Sequence, residues 1–123
     1  MTTTSTTAEL VHAYFDSWKN GADRYDAERL RTLLAPELDF EGPLAGHRVG
    51  AEGFIVGLGD FARRLRDIRM VRQTQCGEQH AFLYDCEAVS GATLRIAEFI
   101  TTRDGRIQTI KILYDKGDFA KLG

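Results

Sequence analysis

Three carboxyl side chains sit inside stretches that are otherwise largely apolar. Asp85 and Glu87 fall within the alternating run from His80 to Val89, and Glu98 within the run from Thr93 to Thr102. Both runs read as β-strands, because apolar residues recur at period two and turn residues flank them. An ionised carboxylate among apolar neighbours is costly unless it pairs with a cation or shifts its pKa. A carboxyl held near neutrality in an apolar setting is what general acid–base catalysis requires. Two other outcomes compete. Arg69 or Arg95 could pair with these carboxyls structurally, or a one-residue slip of strand parity could turn them to the opposite face.

Tyr14 is the fourth candidate. It belongs to the set Leu10, Val11, Tyr14, Phe15 and Trp18, whose spacing makes one buried stripe on a helix. Thr6-Thr7-Ala8-Glu9 has the form of a capping box at its start, and Asn20-Gly21 ends it. Residues 1–7 read as a frayed polar tail, and residues 8–123 as a single domain. His12 falls off the stripe and is expected in solvent.

Other elements must position these groups. Asp23 or Asp26 caps a second helix that buries Leu30, Leu33 and Leu34 and stops before Pro36. Leu38-Asp39-Phe40-Glu41 alternates as a short strand, and Gly42-Pro43 with Gly46 marks a turn. A third helix runs from about Ala51 to Arg66, with Phe54, Ile55, Leu58, Phe61 and Leu65 as its apolar face. Arg63, Arg64 and Arg66 read as its solvated, dipole-matched end. Four strands follow, at about Ile68–Cys76, His80–Val89, Thr93–Thr102 and Arg106–Asp115. Helices first and consecutive antiparallel strands after them make an α+β pattern.

Composition narrows the function. The chain has 123 residues and a formal net charge of −2, so no electrostatic attraction to nucleic acid or anionic membrane is expected. Its longest apolar runs are too short to span a bilayer. The N-terminal stretch lacks the basic and apolar regions of a secretory signal, so a cytoplasmic location is expected. Cys76 and Cys86 are expected as free thiols. His12, His47 and His80 are scattered, with no metal-ligand spacing. His47 lies in a glycine-flanked turn and reads as a solvated loop histidine, with a base as the competing role.

The end of the chain is its most specific segment. Asp104-Gly105 between Ala97–Arg103 and Arg106–Leu113 is a hairpin signal, since a type I′ turn needs positive φ at both central residues. Three motifs occur together: Tyr-Phe-x-x-Trp-x-x-Gly closing the first helix, Phe-x-Gly-Pro before the third, and Asp-Gly-Arg-Ile before the last strand. Together they resemble the SnoaL-like branch of the nuclear-transport-factor-2-like superfamily. The resemblance covers about Ala8 to Leu122. It implies a curved antiparallel sheet and three helices forming a cone, often around an apolar small molecule, and a homodimer built through the outer face of the long strands.

Site positions follow from the resemblance one by one. The Asp-Arg-Asp triad of limonene epoxide hydrolase falls on Val89, Glu87 and Ile112, so that mechanism is lost. The same positions imply that Leu83, Asp85, Glu87 and Val89 face the cavity, together with Gln108, Ile110, Ile112 and Tyr114. Met70, Phe82, Tyr84, Phe99 and Leu113 would then be the outer, dimer-forming set. The ketosteroid isomerase tyrosine falls on Tyr14, and its oxyanion aspartate on Glu98 or Ala97, depending on one residue of turn length. Its base falls on Gly42, so that route is absent. The acid/base aspartate of SnoaL itself has only Asp115 and Asp85 as nearby counterparts.

The expected function is cofactor-free proton transfer on a carbonyl or polycyclic substrate, by a cyclase or isomerase of small-molecule metabolism. Glu87 or Asp85 would be the acid/base, and Tyr14 with protonated Glu98 would stabilise an enolate oxygen. Trp18, Phe40, Phe54, Leu83, Val89, Ile96, Ile110, Ile112 and Tyr114 would line the ligand. The alternative is a non-catalytic binding or dimerisation module, since this fold hosts both. An open cavity with a buried carboxyl favours the enzyme; a cavity filled by Trp18 and Tyr114 favours the module.

Overall fold

The computed structural model describes residues 3–123, with side chains from residue 7 onward. Helix α1 spans Thr3–Asp16, α2 spans Ala27–Leu33 and α3 spans Ala51–Ala62. The strands are β1 (Leu34–Gly42), β2 (Gly46–Val49), β3 (Leu65–Cys76), β4 (Gln79–Ala88), β5 (Thr93–Arg103) and β6 (Arg106–Leu113). A short helix, α4, closes the described chain at Lys116–Ala120.

The strands form one sheet in the order β2-β1-β6-β5-β4-β3. β3 to β6 make an antiparallel meander, whereas β1 runs parallel to β6. The sheet is therefore mixed rather than wholly antiparallel as expected. Bulges interrupt β1 between Leu34 and Asp39, β3 at two points, and the β5–β6 ladder at Thr101/Thr102. Such bulges bend strands and increase twist, so the sheet curls around the helices.

The first helix differs from expectation at its start. It already runs from Thr3, so residues 3–7 are helix rather than tail, and the Thr6–Glu9 stretch lies inside it. Met1, Thr2 and the Thr6 side chain lie outside the described residues. Its apolar stripe is the expected one: Leu10, Val11, Tyr14, Phe15 and Trp18 are all buried. Asp26, not Asp23, caps α2, accepting the Arg29 N–H at 2.9 Å. α2 stops before Pro36 as expected, but β1 begins at Leu34 rather than Leu38, so Pro36 lies within the strand.

Two elements were not expected. β2 pairs with β1 as a small hairpin, placing Phe40 opposite Arg48. α4 forms because the Asp115 side chain accepts the Asp118 N–H at 2.9 Å, which caps it. The third helix ends at Ala62, so Leu65 and Arg66 already belong to β3. The Asp104-Gly105 turn is as expected, with φ of 53° and 76°.

Candidate active site

All inner-face residues of β4 and β5 carry even numbers. The ladder pairs Phe82 with Glu98, Tyr84 with Ile96 and Cys86 with Leu94, so residues of the same parity share a face. On β4 the buried set is His80, Phe82, Tyr84, Cys86 and Ala88. On β5 it is Leu94, Ile96, Glu98, Ile100 and Thr102. β6 adds Ile110, Ile112 and, just beyond its end, Tyr114.

This parity corrects the β4 expectation. Leu83, Asp85, Glu87 and Val89 face away from the helices, and Phe82 and Tyr84 are inside. The physical reason is the chemistry of the two alternatives. One face of β4 offers two aromatics, a thiol and an alanine for burial; the other would bury two carboxylates. Asp85 instead accepts Arg95 Nε at 2.7 Å and Arg69 Nη2 at 2.9 Å on the outer face. The Arg95 hydrogen bond foremost holds its carboxyl below the usual range. Glu87 is half-buried in the same outer recess, beside Asp67 and Arg95. Val89 is 62% exposed.

Glu98 is the carboxyl that enters the interior. It is 1% exposed, and its oxygens are divided between two tyrosines. Tyr14 Oη donates to Oε2 at 2.7 Å, and Tyr84 Oη donates to Oε1 at 2.5 Å. Burial raises the Glu98 pKa from 4.5 to about 7, against the two tyrosine hydrogen bonds, which favour the ionised form. Both hydroxyls are held well above the ordinary tyrosine value, first by burial and then by the Glu98 charge. They therefore stay protonated as donors, and the carboxyl is the group that titrates.

Trp18 lies beside this cluster, its ring 6.1 Å from those of both Tyr14 and Tyr84. Its indole N–H is buried with no acceptor in hydrogen-bond geometry among the described residues. It is near enough to the Tyr14 hydroxyl to favour that group's anion.

The cluster forms the inner end of a cavity of about 540 Å³. Trp18, Phe40, Phe54, Ile96, Ile112 and Tyr114 all line it, together with Tyr14, Tyr84 and Glu98. Ile110, expected to line it too, is wholly buried in the core. Helix α3 turns Gly53 and Gly57 toward the space, and a Cβ at either position would meet nothing within 4 Å. α4 supplies Phe119, stacked on Tyr114 at 5.0 Å. Apart from Glu98, the one charged side chain lining the cavity among the described residues is Arg48, from β2.

Gly42 carries no base, and a Cβ there would lie 3.0 Å from Ile112 Cγ1 and 3.2 Å from Phe40 Cζ, so a side chain at this position would require those two residues to shift. His47 pairs with Asp39 at 2.9 Å, away from the cavity, and Asp115 is occupied as the α4 cap.

Sequence reasoning missed Tyr84, Arg48 and Phe119. Tyr84 could have been found by requiring β4 and β5 to share parity once Glu98 was placed inside. Arg48 and Phe119 belong to the two elements that were not expected.

The comparisons with known proteins agree with this architecture. A model of the SnoaL-like domain matches residues 11–110. A crystal structure of a protein from Kribbella flavida DSM 17836 superposes with a TM-score of 0.79 at 25% identity, covering 93% of this chain and 90% of that one. A putative SnoaL-like polyketide cyclase from Jannaschia sp. CCS1 gives 0.78 at 14% identity, over 96% and 91%. A putative ketosteroid isomerase, also from Kribbella flavida DSM 17836, gives 0.74 at 18% identity, over 90% and 78%. The fold is the nuclear-transport-factor-2-like one. No curated protein matches the sequence. Among the described residues, no helix is long and apolar enough to cross a membrane.

Proposed function

The chain belongs to the SnoaL-like domain family, and from that premise we propose that it is a cofactor-free acid–base enzyme, an isomerase or cyclase acting on a carbonyl compound with an apolar ring body. The observation that carries this reading is Glu98: a buried carboxyl with a pKa of about 7, facing an open cavity and hydrogen-bonded only to tyrosines. No cation pairs with it among the described residues. A purely structural buried carboxyl would be expected to hold a cationic partner.

Glu98 takes the role first expected of Glu87 or Asp85. Each of its oxygens accepts one tyrosine and keeps a second lone pair for a substrate proton. Near neutral pH both protonation states are populated, so the group can take a proton from one carbon and return it to another. Tyr14 and Tyr84 fix the carboxyl's rotamer and stabilise its charged form. The negative charge that develops on the substrate oxygen needs a donor in the same dry space. The Trp18 N–H is the unpartnered donor there, and a tyrosine hydroxyl becomes free to turn once Glu98 is protonated. The aromatic walls supply apolar area for a ring system.

The proposed assembly is a homodimer through the outer sheet face, where Phe99 and Leu113 are 52% and 65% exposed. This corrects the expected outer set, since Phe82 and Tyr84 belong to the interior and Met70 is partly buried against the core.

The test is hydrogen–deuterium exchange alpha to the carbonyl of bicyclic ketones such as 2-tetralone, followed by NMR. Wild-type protein should catalyse exchange, and Glu98→Gln should lose about 10²–10⁴-fold in rate while still binding the ketone. Equal exchange by both proteins would overturn the assignment.

A further inference from the structure

The cavity is polar at two separate places. Its inner end carries the Glu98 cluster, and its rim carries the guanidinium of Arg48. Three features set Arg48 apart from an ordinary surface arginine. First, it is directly opposite Phe40 across the β1–β2 ladder, and Phe40 packs on Phe54 with ring centroids 4.9 Å apart. Directly opposed residues share a face, so the register points Arg48 to the cavity side. Second, its Nε–H donates to the Ala45 carbonyl at 3.0 Å, which fixes the root of the guanidinium. Third, it has no carboxylate partner among the described residues. The nearby acids are engaged elsewhere, Asp39 with His47 at 2.9 Å and Glu41 with Lys111 at 3.5 Å.

The remaining rim is apolar. Leu44 and Val49 are 55% and 65% exposed beside Arg48. A tethered guanidinium whose two terminal nitrogens have no hydrogen-bond partner among the described residues, set in an apolar rim, matches an anionic oxygen group.

We propose that the ligand of this cavity is an amphipathic anion: an apolar ring body seated against Glu98, and a carboxylate, or an equivalent anionic oxygen group, held by Arg48 at the mouth. This rests on the reading above that the cavity takes a small molecule. It adds the ligand's charge and its orientation. The reacting carbon lies at the inner end and the anionic group faces out, so the like charges of Glu98 and the ligand stand at opposite ends of the cavity.

The test uses two probes with the same aromatic body. 1-Anilinonaphthalene-8-sulfonate carries an anion, and N-phenyl-1-naphthylamine does not. Trp18 is the single tryptophan of the chain and lines the cavity, so energy transfer from it reports occupancy of this site. In Arg48→Gln the sulfonate probe should bind about 5- to 30-fold more weakly, as for loss of a partly solvated charge-assisted hydrogen bond. Affinity for the neutral probe should stay within about twofold. Arg48→Lys should recover only part of the loss, because it keeps the charge and lacks the fork. Equal weakening of both probes, or none of the sulfonate probe, would overturn the anion reading and leave the apolar cavity standing. Failure of the sulfonate probe alone to quench Trp18 in wild-type protein would overturn the anion reading, and failure of both probes would overturn both readings together.

Discussion

Tyr84 and Glu98 are diagonal neighbours on the sheet. Glu98 stands opposite Phe82 in the ladder, yet the Tyr84 hydroxyl reaches back to its Oε1 at 2.5 Å. A diagonal contact of this kind is within reach of a long aromatic side chain. It leaves the other carboxyl oxygen for Tyr14, which comes from α1. The carboxyl is thereby clamped between a helix and a strand that are distant in sequence.

The stability of the protein should record this buried carboxyl. Below about pH 4.5 Glu98 is protonated in both folded and unfolded chains. Between 4.5 and about 7 the unfolded chain releases the proton and the folded chain retains it, so stability falls as pH rises through that window. The expected loss is on the order of 3 kcal/mol, complete above pH 7. Glu98→Gln should lack this component. Melting curves of both proteins from pH 4.5 to 8 check it, and parallel profiles would contradict it.

Removing a tyrosine donor should move the carboxyl further from its ordinary range. Tyr84→Phe or Tyr14→Phe takes away a hydrogen bond that favours the ionised form, so the Glu98 midpoint should rise above about 7. Each change should also cost about 1–3 kcal/mol at alkaline pH, where the carboxylate is left short of a donor. Carboxyl carbon NMR titration, with Glu98→Gln to assign the signal, measures the shift. An unchanged or lower midpoint would mean that the hydroxyls do not govern the site.

Gly57 permits two opposite experiments at one position. Alanine there meets no neighbour and improves helix propensity by about 1 kcal/mol, so Gly57→Ala should melt higher. Gly57→Phe should place a ring in the cavity mouth and weaken binding of N-phenyl-1-naphthylamine by at least about tenfold, with the fold intact by circular dichroism. Undiminished binding would put the ligand elsewhere.

The outer carboxyls should prove dispensable for chemistry. Asp85→Asn breaks an ion pair with largely exposed arginines, so the melting temperature should drop by less than about 5 °C. Ketone exchange should be unaffected by Asp85→Asn or Glu87→Gln. A large loss of rate in either variant would return the catalytic role to β4.

On the same outer face, Phe99 and Leu113 are exposed in neighbouring strands. The double variant Phe99→Glu/Leu113→Glu should convert a dimer into the 13.8 kDa monomer by light scattering. A wild-type monomer at micromolar concentration would remove the dimer from the account.

Local patterning was enough for much of this molecule. The stripe from Leu10 to Trp18, the Asp104-Gly105 turn and the alternation Leu94, Ile96, Glu98 each follow from short-range rules of period and turn chemistry. Joined to the family resemblance carried by three motifs, they were enough to name the fold, to place Tyr14 with Glu98 and to identify six residues of the cavity wall. The two possible faces of β4 are another matter. Each set contains apolar residues, so alternation alone leaves the choice open, and an alignment shifted by one residue reverses it. Only the cross-strand register, with Phe82 locked opposite Glu98, decides that Tyr84 is inside and that Asp85 and Glu87 are outside. The same holds for Arg48. Its β2 strand is four residues long, too short to be recognised by periodicity, and it acquires its position by pairing with β1. Helix and turn signals act over a few neighbouring residues, whereas the face a strand presents depends on the partner strand that pairs with it.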